Sequence, residues 1–186
     1  MSGEQFIEFN EIDNQVLGEA IKRKCRVCNH LYHGTKQYFA QQLIDTKEIN
    51  IGSEVGYLGN GFYCYLYDAE ASRIYASDKY KKNNNERIAV IRLIVELGDV
   101  FFICPELHKY FLSIAQKLEG KEVLRKKVGG LIELFIKKII IPNYEYIDTV
   151  AQCDNYNKSG INRPVFMYSI RHAKMVKDIK PYWEES

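Results

Sequence analysis

Apolar residues recur at two different periods along the chain, and each period predicts one kind of element. Spacings of three and four residues place apolar side chains on one face of a helix. Runs of β-branched and aromatic residues are typical of strands. The helical stretches are residues 10–24, 35–49, 68–82 and 105–138, and the strand-like stretches are 27–34, 62–67, 88–97, 98–103, 139–153 and 163–180.

Short polar residues and glycines divide these stretches. Thr35 and Asp68 each stand where a helix N-cap is expected, because their side-chain oxygens can accept a backbone N–H. Gly120 is predicted to break residues 105–138 into two helices, and residues 153–164 are predicted to form a loop. Strands and helices mix without a regular strand–helix–strand rhythm, so the sequence predicts an α+β fold.

Composition limits the function classes. The 186 residues suit one domain, and we expect an N-terminal helical extension over residues 1–30 before a domain at 31–186. A formal charge of +2 gives no electrostatic case for nucleic acid as the main partner. Uninterrupted apolar runs, such as residues 139–141, are far too short to cross a membrane. Because the polar N-terminus does not resemble a signal peptide, we expect a cytoplasmic protein without a membrane partner.

Five cysteines include one pair at metal-ligand spacing. Cys25 and Cys28, followed by His30, resemble half of a zinc site, but no second close pair follows. We therefore expect no metal, and we interpret the pair as small apolar residues around a helix end. The odd cysteine count fits a reducing compartment.

Two segments carry the candidate chemistry. His33 and Gly34 stand in a His-Gly-Thr segment, where the missing side chain of glycine would let the backbone approach a ligand. Further along, Ser72 precedes Tyr75 by three residues on a predicted helix, so a hydroxyl and an aromatic ring share one face. The glycines between these segments, at 56, 59 and 61, precede a predicted strand and not a helix. Any dinucleotide would therefore bind differently from the Gly-x-Gly-x-x-Gly pattern.

The order of these motifs resembles a known family. "YHGT", then "GYLGNGFY", then "ASRIYAS" is similar to the ADP-ribosyltransferases of the poly(ADP-ribose) polymerase type. The resemblance continues through "AVIRLIVELGDVFFI" as a central strand pair, "YIDTVAQCDN" and the closing "RPVFMYSIRHAKMVKDIK". It implies a split antiparallel β-sheet with a helical insertion around 105–138, and NAD as the substrate.

The resemblance also implies roles for the first motif. His33 corresponds to the first residue of the family's catalytic triad, which hydrogen-bonds the nicotinamide-side ribose. Gly34 would offer its backbone N–H and C=O to the nicotinamide carboxamide, which needs both an acceptor and a donor. Thr35 would reach the adenosine-side ribose.

The second and third motifs supply the remaining NAD contacts that the resemblance implies. Tyr63 matches the second triad residue, and Gly61 before it belongs to the NAD-binding set. Ser72 would hydrogen-bond the carboxamide, and Tyr75 would stack on the flat, partly cationic nicotinamide ring.

The third triad position departs from the chain-elongating members, which carry glutamate there. Aligning "PVFMYSIR" with the closing strand places Met167 at this position. Methionine can neither accept a proton nor hold a ribose hydroxyl, so the resemblance implies transfer of single ADP-ribose units and no polymer. Glu145 and Asp148 are the carboxylates that would substitute if another residue takes this part.

Other interpretations remain open. The chain could be a degenerate transferase that binds NAD or ADP-ribose without chemistry. It could also be an RNA 2′-phosphotransferase, although that enzyme would need basic side chains for a phosphate and only Lys36 follows the His-Gly-Thr segment directly. The acceptor, whether protein, nucleic acid or small molecule, is not indicated. The Lys-, Asn- and Ile-rich composition suggests a bacterial or phage origin, and His30, His108 and His172 are expected to be structural or surface residues.

Overall fold

The computed structural model describes residues 20–23, 27–52, 55–80, 87–118, 124–144, 147–158 and 161–182. Its strands are β1 Ile21–Arg23, β2 Val27–Lys36, β3 Phe62–Leu66, β4 Ile88–Glu96, β5 Asp99–Ile103, β6 Thr149–Lys158, β7 Ile161–Ile170 and β8 Val176–Pro181. Its helices are α1 Gln37–Thr46, α2 Ala69–Tyr80, α3 Pro105–Lys117, α4 Leu124–Phe135 and α5 Ile141–Tyr144. A π-helical segment, Ile136–Ile140, joins α4 to α5, and a 3-10 turn, Ala173–Met175, precedes β8.

The described strands form one eight-stranded sheet in the order β1-β5-β6-β7-β3-β2-β4-β8. Within it β5 and β6 run parallel, and every other neighbouring pair runs antiparallel. Strands and helices follow one another without repeated parallel strand–helix–strand units. The predicted α+β class is therefore confirmed.

Helices cover both faces of the sheet. On one face, Phe101 and Val150 of the sheet pack with helices α3 and α4 in a core that includes Phe111 and Phe135. On the other face, Leu31 packs with its sheet neighbours against helix α1. Helix α2 lies over the middle of the first face, where it packs beside the α3–α4 layer. Met167, the predicted third triad position, lies between α2 and the α3–α4 layer.

Several predicted elements are confirmed. Helix α2 begins after Asp68, whose Oδ1 accepts the Ala71 N–H at 2.8 Å, so this residue is the N-cap. The stretch 105–138 contains helices α3 and α4, and Gly120, predicted to divide them, lies outside the described residues. Strand β4 lies within the predicted strand stretch 88–97, and the chain turns at Gly98, which has a φ of +60°.

Other predictions are wrong at the level of local structure. Thr35 is no N-cap, since β2 continues through Lys36 by pairing with β4, and α1 begins only at Gln37. Phe39, which helical spacing from Leu43 and Ile44 predicts to lie on the apolar face of α1, is 44% exposed. Residues 21–23, expected to end the N-terminal helix, pair with β5 as a strand, while residues 1–19 lie outside the described part.

Two segments near the C-terminal half also differ from expectation. Residues 139–141 are helical and not a strand, because a short apolar run fits a buried helix as well as a strand. Residues 153–164, expected to be a loop, belong largely to a hairpin in which β6 and β7 pair as far as Lys158 and Ile161. Pairing to a neighbouring strand overrides the polar composition there.

The strands β4 and β5 do not form the pair that the resemblance implies. They are consecutive in the chain, yet β4 lies between β2 and β8, whereas β5 lies between β1 and β6. Cys28, expected near a helix end, lies in β2, and Cys25 is outside the described residues. None of the described helices is both long and apolar enough to cross a membrane.

Candidate functional site: the gap between β2 and β3

Strands β2 and β3 separate soon after they meet. Their described pairing consists of Leu31 with Leu66 and Tyr32 with Tyr65. Beyond this point β3 continues against β7 on its other side, with Phe62 opposite Ile170. The separation leaves a gap between β2 and β3 at His33 and Gly34.

The polar backbone groups of Gly34 face this gap. Gln37 donates its N–H to the Arg87 carbonyl, which makes Lys36 and Ile88 a non-hydrogen-bonded pair of the β2–β4 ladder. Backbone hydrogen bonds alternate sides along an antiparallel strand. The Gly34 N–H and C=O therefore point away from β4 and toward β3. A donor and an acceptor from one residue thus stand side by side at the opening.

His33 lies at the same gap. Its Nδ1 lies 2.7 Å from the Tyr63 carbonyl oxygen, and its ring packs on that of Phe62 with centroids 4.1 Å apart. Because a carbonyl only accepts, Nδ1 carries the proton and Nε2 is the acceptor in the neutral ring. Burial lowers the pKa of His33 to about 4, against a smaller opposing effect of the bond to Tyr63. The ring is therefore neutral at pH 7, with one orientation fixed by the backbone of β3.

Helix α2 passes directly over Gly34. A Cβ at this position would lie 2.0 Å from the Ser72 carbonyl oxygen and 3.0 Å from the Ala76 Cβ. The glycine is thus required by helix packing, because the space that a side chain would need belongs to α2. Ser72 is fully buried, and its Oγ donates to the Ala69 carbonyl at 2.7 Å. Its oxygen lone pairs can still accept a hydrogen bond from another donor.

Tyr63 holds the glycine segment in place. Its hydroxyl donates to the Gly59 carbonyl at 2.7 Å and accepts the Leu58 N–H at 2.7 Å. Burial raises the pKa of this phenol well above its usual value. A Cβ on Gly56 would meet the same hydroxyl at 2.4 Å, so the glycine lets the ring lie against the loop. The Tyr63 side chain is therefore committed to the loop.

Gly61 and Thr35 lie beside this arrangement. A Cβ on Gly61 would lie 2.0 Å from the Ser169 Oγ, so the close approach there is to strand β7. Thr35 is 4% exposed, and along β2 it shares the sheet face of His33. Gly34 is buried as well, but it differs from these two residues in that its backbone N–H and C=O face the gap.

Tyr75 lies on the outer side of the same helix turn as Ser72. Its ring is 6.0 Å from that of Tyr65, at 52°, and it belongs to a cluster that also contains Met167. Its phenol is close enough to Tyr63 to help raise the pKa of that residue. Part of the Tyr75 ring is exposed, so a flat ligand can contact it. The structure thus groups Gly34, Ser72 and Tyr75 around α2.

Met167 sits in a transverse row across one face of the sheet. It pairs with Tyr65 on β3 and with Gln152 on β6, and directly paired residues share a face. Its thioether side chain is part-exposed and contacts both the α2 cluster and the α3–α4 core. The residue therefore lies between the two helical layers.

The carboxylates near this region serve the fold. Asp148 accepts the Asp99 N–H at 3.0 Å, so it is bound between β5 and the start of β6. Glu145 lies outside the described residues. Glu133 of α4, which sequence reasoning missed, makes a two-point bond with Arg171 at 2.6 and 2.8 Å and accepts the Asn60 N–H at 2.6 Å.

Glu133 connects helix α4, the glycine loop and the residue after β7. The three partners are far apart in sequence, so no local motif could have indicated them. Both side chains of the ion pair are largely buried, at 17% and 22% exposed. Because each oxygen of Glu133 already binds a cation or an N–H, this carboxylate is not available as a base.

A scan of the chain against protein-family models and a search of curated proteins find no match.

Proposed function

We propose that this chain is an NAD-dependent mono-ADP-ribosyltransferase. It would transfer one ADP-ribose unit from NAD to an acceptor and release nicotinamide. The observation that carries the proposal is the gap between β2 and β3. There the backbone edge of Gly34 lies beneath the helix that carries Ser72 and Tyr75, and the neutral His33 ring lies at the same gap on the opposite face of the sheet.

The groups at the gap suit a nicotinamide. A carboxamide has one acceptor and two donor hydrogens, and the N–H and C=O of Gly34 complement them at neighbouring positions. The part-exposed Tyr75 ring offers a face for stacking. The His33 Nε2 would accept a hydrogen bond from a ribose hydroxyl. These are the roles that the resemblance to ADP-ribosyltransferases implies.

The degenerate NAD-binding module is the second candidate, and one observation favours it. Met167 provides no acid or base, and the carboxylate of Glu133 at the glycine loop is bound to Arg171 and the Asn60 N–H. Transfer would then depend on a base supplied by the acceptor. Binding and nicotinamide release must therefore be measured separately.

The test of NAD binding is calorimetry with two variants of Tyr75. Tyr75→Ala should weaken binding by about 1–3 kcal/mol, as removal of a stacking ring does elsewhere, and Tyr75→Phe should change it little. Tyr38→Ala, which removes a tyrosine that is 73% exposed on α1, is the control. Equal losses from Tyr75→Ala and Tyr75→Phe would assign binding to the hydroxyl and contradict stacking.

The test of activity is nicotinamide release on incubation with NAD, followed by mass spectrometry of the protein. A single mass increment of one ADP-ribose, or nicotinamide release without modification of the protein itself, supports the enzyme. NAD binding without any nicotinamide release would favour the binding module.

A further inference from the structure

A second polar group lies beside Met167, on the side away from Tyr65. Gln152 of β6 is 2% exposed, and its Nε2 contacts the Tyr57 hydroxyl at 3.4 Å. The Tyr57 oxygen in turn lies 2.5 Å from His108 Nε2. Three elements meet here: strand β6, the glycine loop that carries Tyr57, and helix α3.

The hydrogen bonds of this group are consistent with a His108 ring whose Nε2 is the acceptor. Tyr57 can donate to the His108 Nε2 and accept from the amide of Gln152, so the Gln152 nitrogen is oriented toward Tyr57. The amide oxygen, Oε1, then points elsewhere. Among the residues that the structure describes, it is one of two buried side-chain N or O atoms without a hydrogen-bond partner, the other being the Asn60 Oδ1.

An unpartnered buried carbonyl is costly for folding. Leaving such a group without a partner costs about 1–3 kcal/mol, and native proteins rarely keep one without a reason. The position of Gln152 suggests the reason. It is paired directly with Met167, so its side chain stands on the same face of the sheet and about one strand spacing, roughly 5 Å, from the predicted third triad position.

We propose that Gln152 is a ligand-binding residue whose Oε1 accepts a hydrogen bond from a sugar hydroxyl of NAD. It would supply, from the neighbouring strand, the acceptor that Met167 lacks. This inference rests on the proposed function, since it concerns the position next to Met167. Gln152 holds the hydroxyl only and takes no proton, because an amide oxygen is not a base at neutral pH. Tyr57 acts as a positioning residue that fixes the orientation of the Gln152 amide.

The experiment compares ligand affinity with stability in Gln152→Leu. Leucine keeps much of the volume and removes the unpartnered oxygen. We expect the thermal midpoint without ligand to be unchanged or raised, while NAD and ADP-ribose bind roughly three- to tenfold more weakly, the loss of one neutral hydrogen bond. Nicotinamide alone, which has no ribose, should bind within twofold of wild type. Gln116→Leu, which removes an exposed glutamine on α3, is the matched control.

A second variant separates positioning from packing. Tyr57→Phe keeps the ring and removes the hydroxyl that orients Gln152. Like Gln152→Leu, it should weaken NAD binding while nicotinamide binding stays unchanged. A purely structural role would not produce this difference.

The outcomes distinguish this inference from the proposed function. If wild type binds NAD and nicotinamide but Gln152→Leu binds NAD equally well, the role of Gln152 is refuted and the function stands. If Gln152→Leu loses stability and affinity for both ligands in parallel, Gln152 is structural and the inference is also overturned. If wild type binds neither NAD nor nicotinamide, the proposed function itself fails.

Discussion

Replacing Gly34 with alanine tests the contact that positions helix α2 over strand β2. The new methyl group would lie 2.0 Å from the Ser72 carbonyl oxygen and 2.6 Å from its carbon. Both are backbone atoms, which cannot rotate away as a flexible side chain can. The helix must therefore move by more than 1 Å to restore an ordinary contact, and we expect a loss of about 3 kcal/mol in the free energy of unfolding.

The same displacement should reach the site. Ser72 and Tyr75 move with α2, while the Gly34 N–H and C=O stay on β2, so their alignment is lost. We expect Gly34→Ala to abolish NAD binding even at temperatures where the variant remains folded. Urea unfolding measures the stability, and calorimetry at low temperature measures the binding.

Gly130→Ala is the matched control for this experiment. Gly130 lies within α4, and a Cβ there would meet no described atom within 4 Å. Alanine favours a helix over glycine by roughly 1 kcal/mol, so this variant should be slightly more stable than wild type and bind NAD normally. If Gly34→Ala were as stable as Gly130→Ala, the close packing of α2 on β2 and the reasoning built on it would be refuted.

Three further predictions concern individual side chains. Met167 supplies no base, so mass spectrometry should detect single ADP-ribose units and no ladder. Met167→Ala should lower the free energy of unfolding in urea by about 1–2 kcal/mol, since the side chain is part-exposed. Burial holds the pKa of His33 at about 4 in the folded protein, against 6.5 ordinarily, so the unfolded chain binds more protons between these values. The free energy of unfolding is unaffected by this group above pH 6.5 and falls by roughly 3 kcal/mol as the pH drops to 4. His33→Gln should remove this part of the pH dependence, and an unchanged slope would contradict it. Glu133→Ala leaves the Arg171 guanidinium largely buried without its partner and should cost about 3 kcal/mol, whereas a loss below 1 kcal/mol on urea unfolding would show that the pair contributes little.

The elements that the sequence predicted correctly are those in which local chemistry and tertiary environment agree. Asp68 caps α2 because its oxygen is within reach of an N–H three residues later. Strand β4 is apolar on both sides and lies within the sheet. In both places the neighbours along the chain already specify the conformation.

The predictions that failed depended on partners distant in the sequence. Thr35 has the side chain of an N-cap, yet β4 provides ladder partners up to Lys36 and keeps the residue in β2. The polar residues 153–158 lie in a strand because β7 returns alongside them. Hydrogen bonds between strands are not encoded in the period of one strand.

By itself, the sequence determined the α+β class, the approximate positions of most elements and the order of the motifs that name His33, Tyr63 and Tyr75. Those features follow from side-chain type and spacing. The tertiary structure alone decided that β2 and β3 separate at Gly34, that Glu133 binds Arg171, and that Gln152 stands beside Met167 with an unpartnered oxygen. The physical reason is that ladder register and burial join residues tens of positions apart, and no local pattern carries that information.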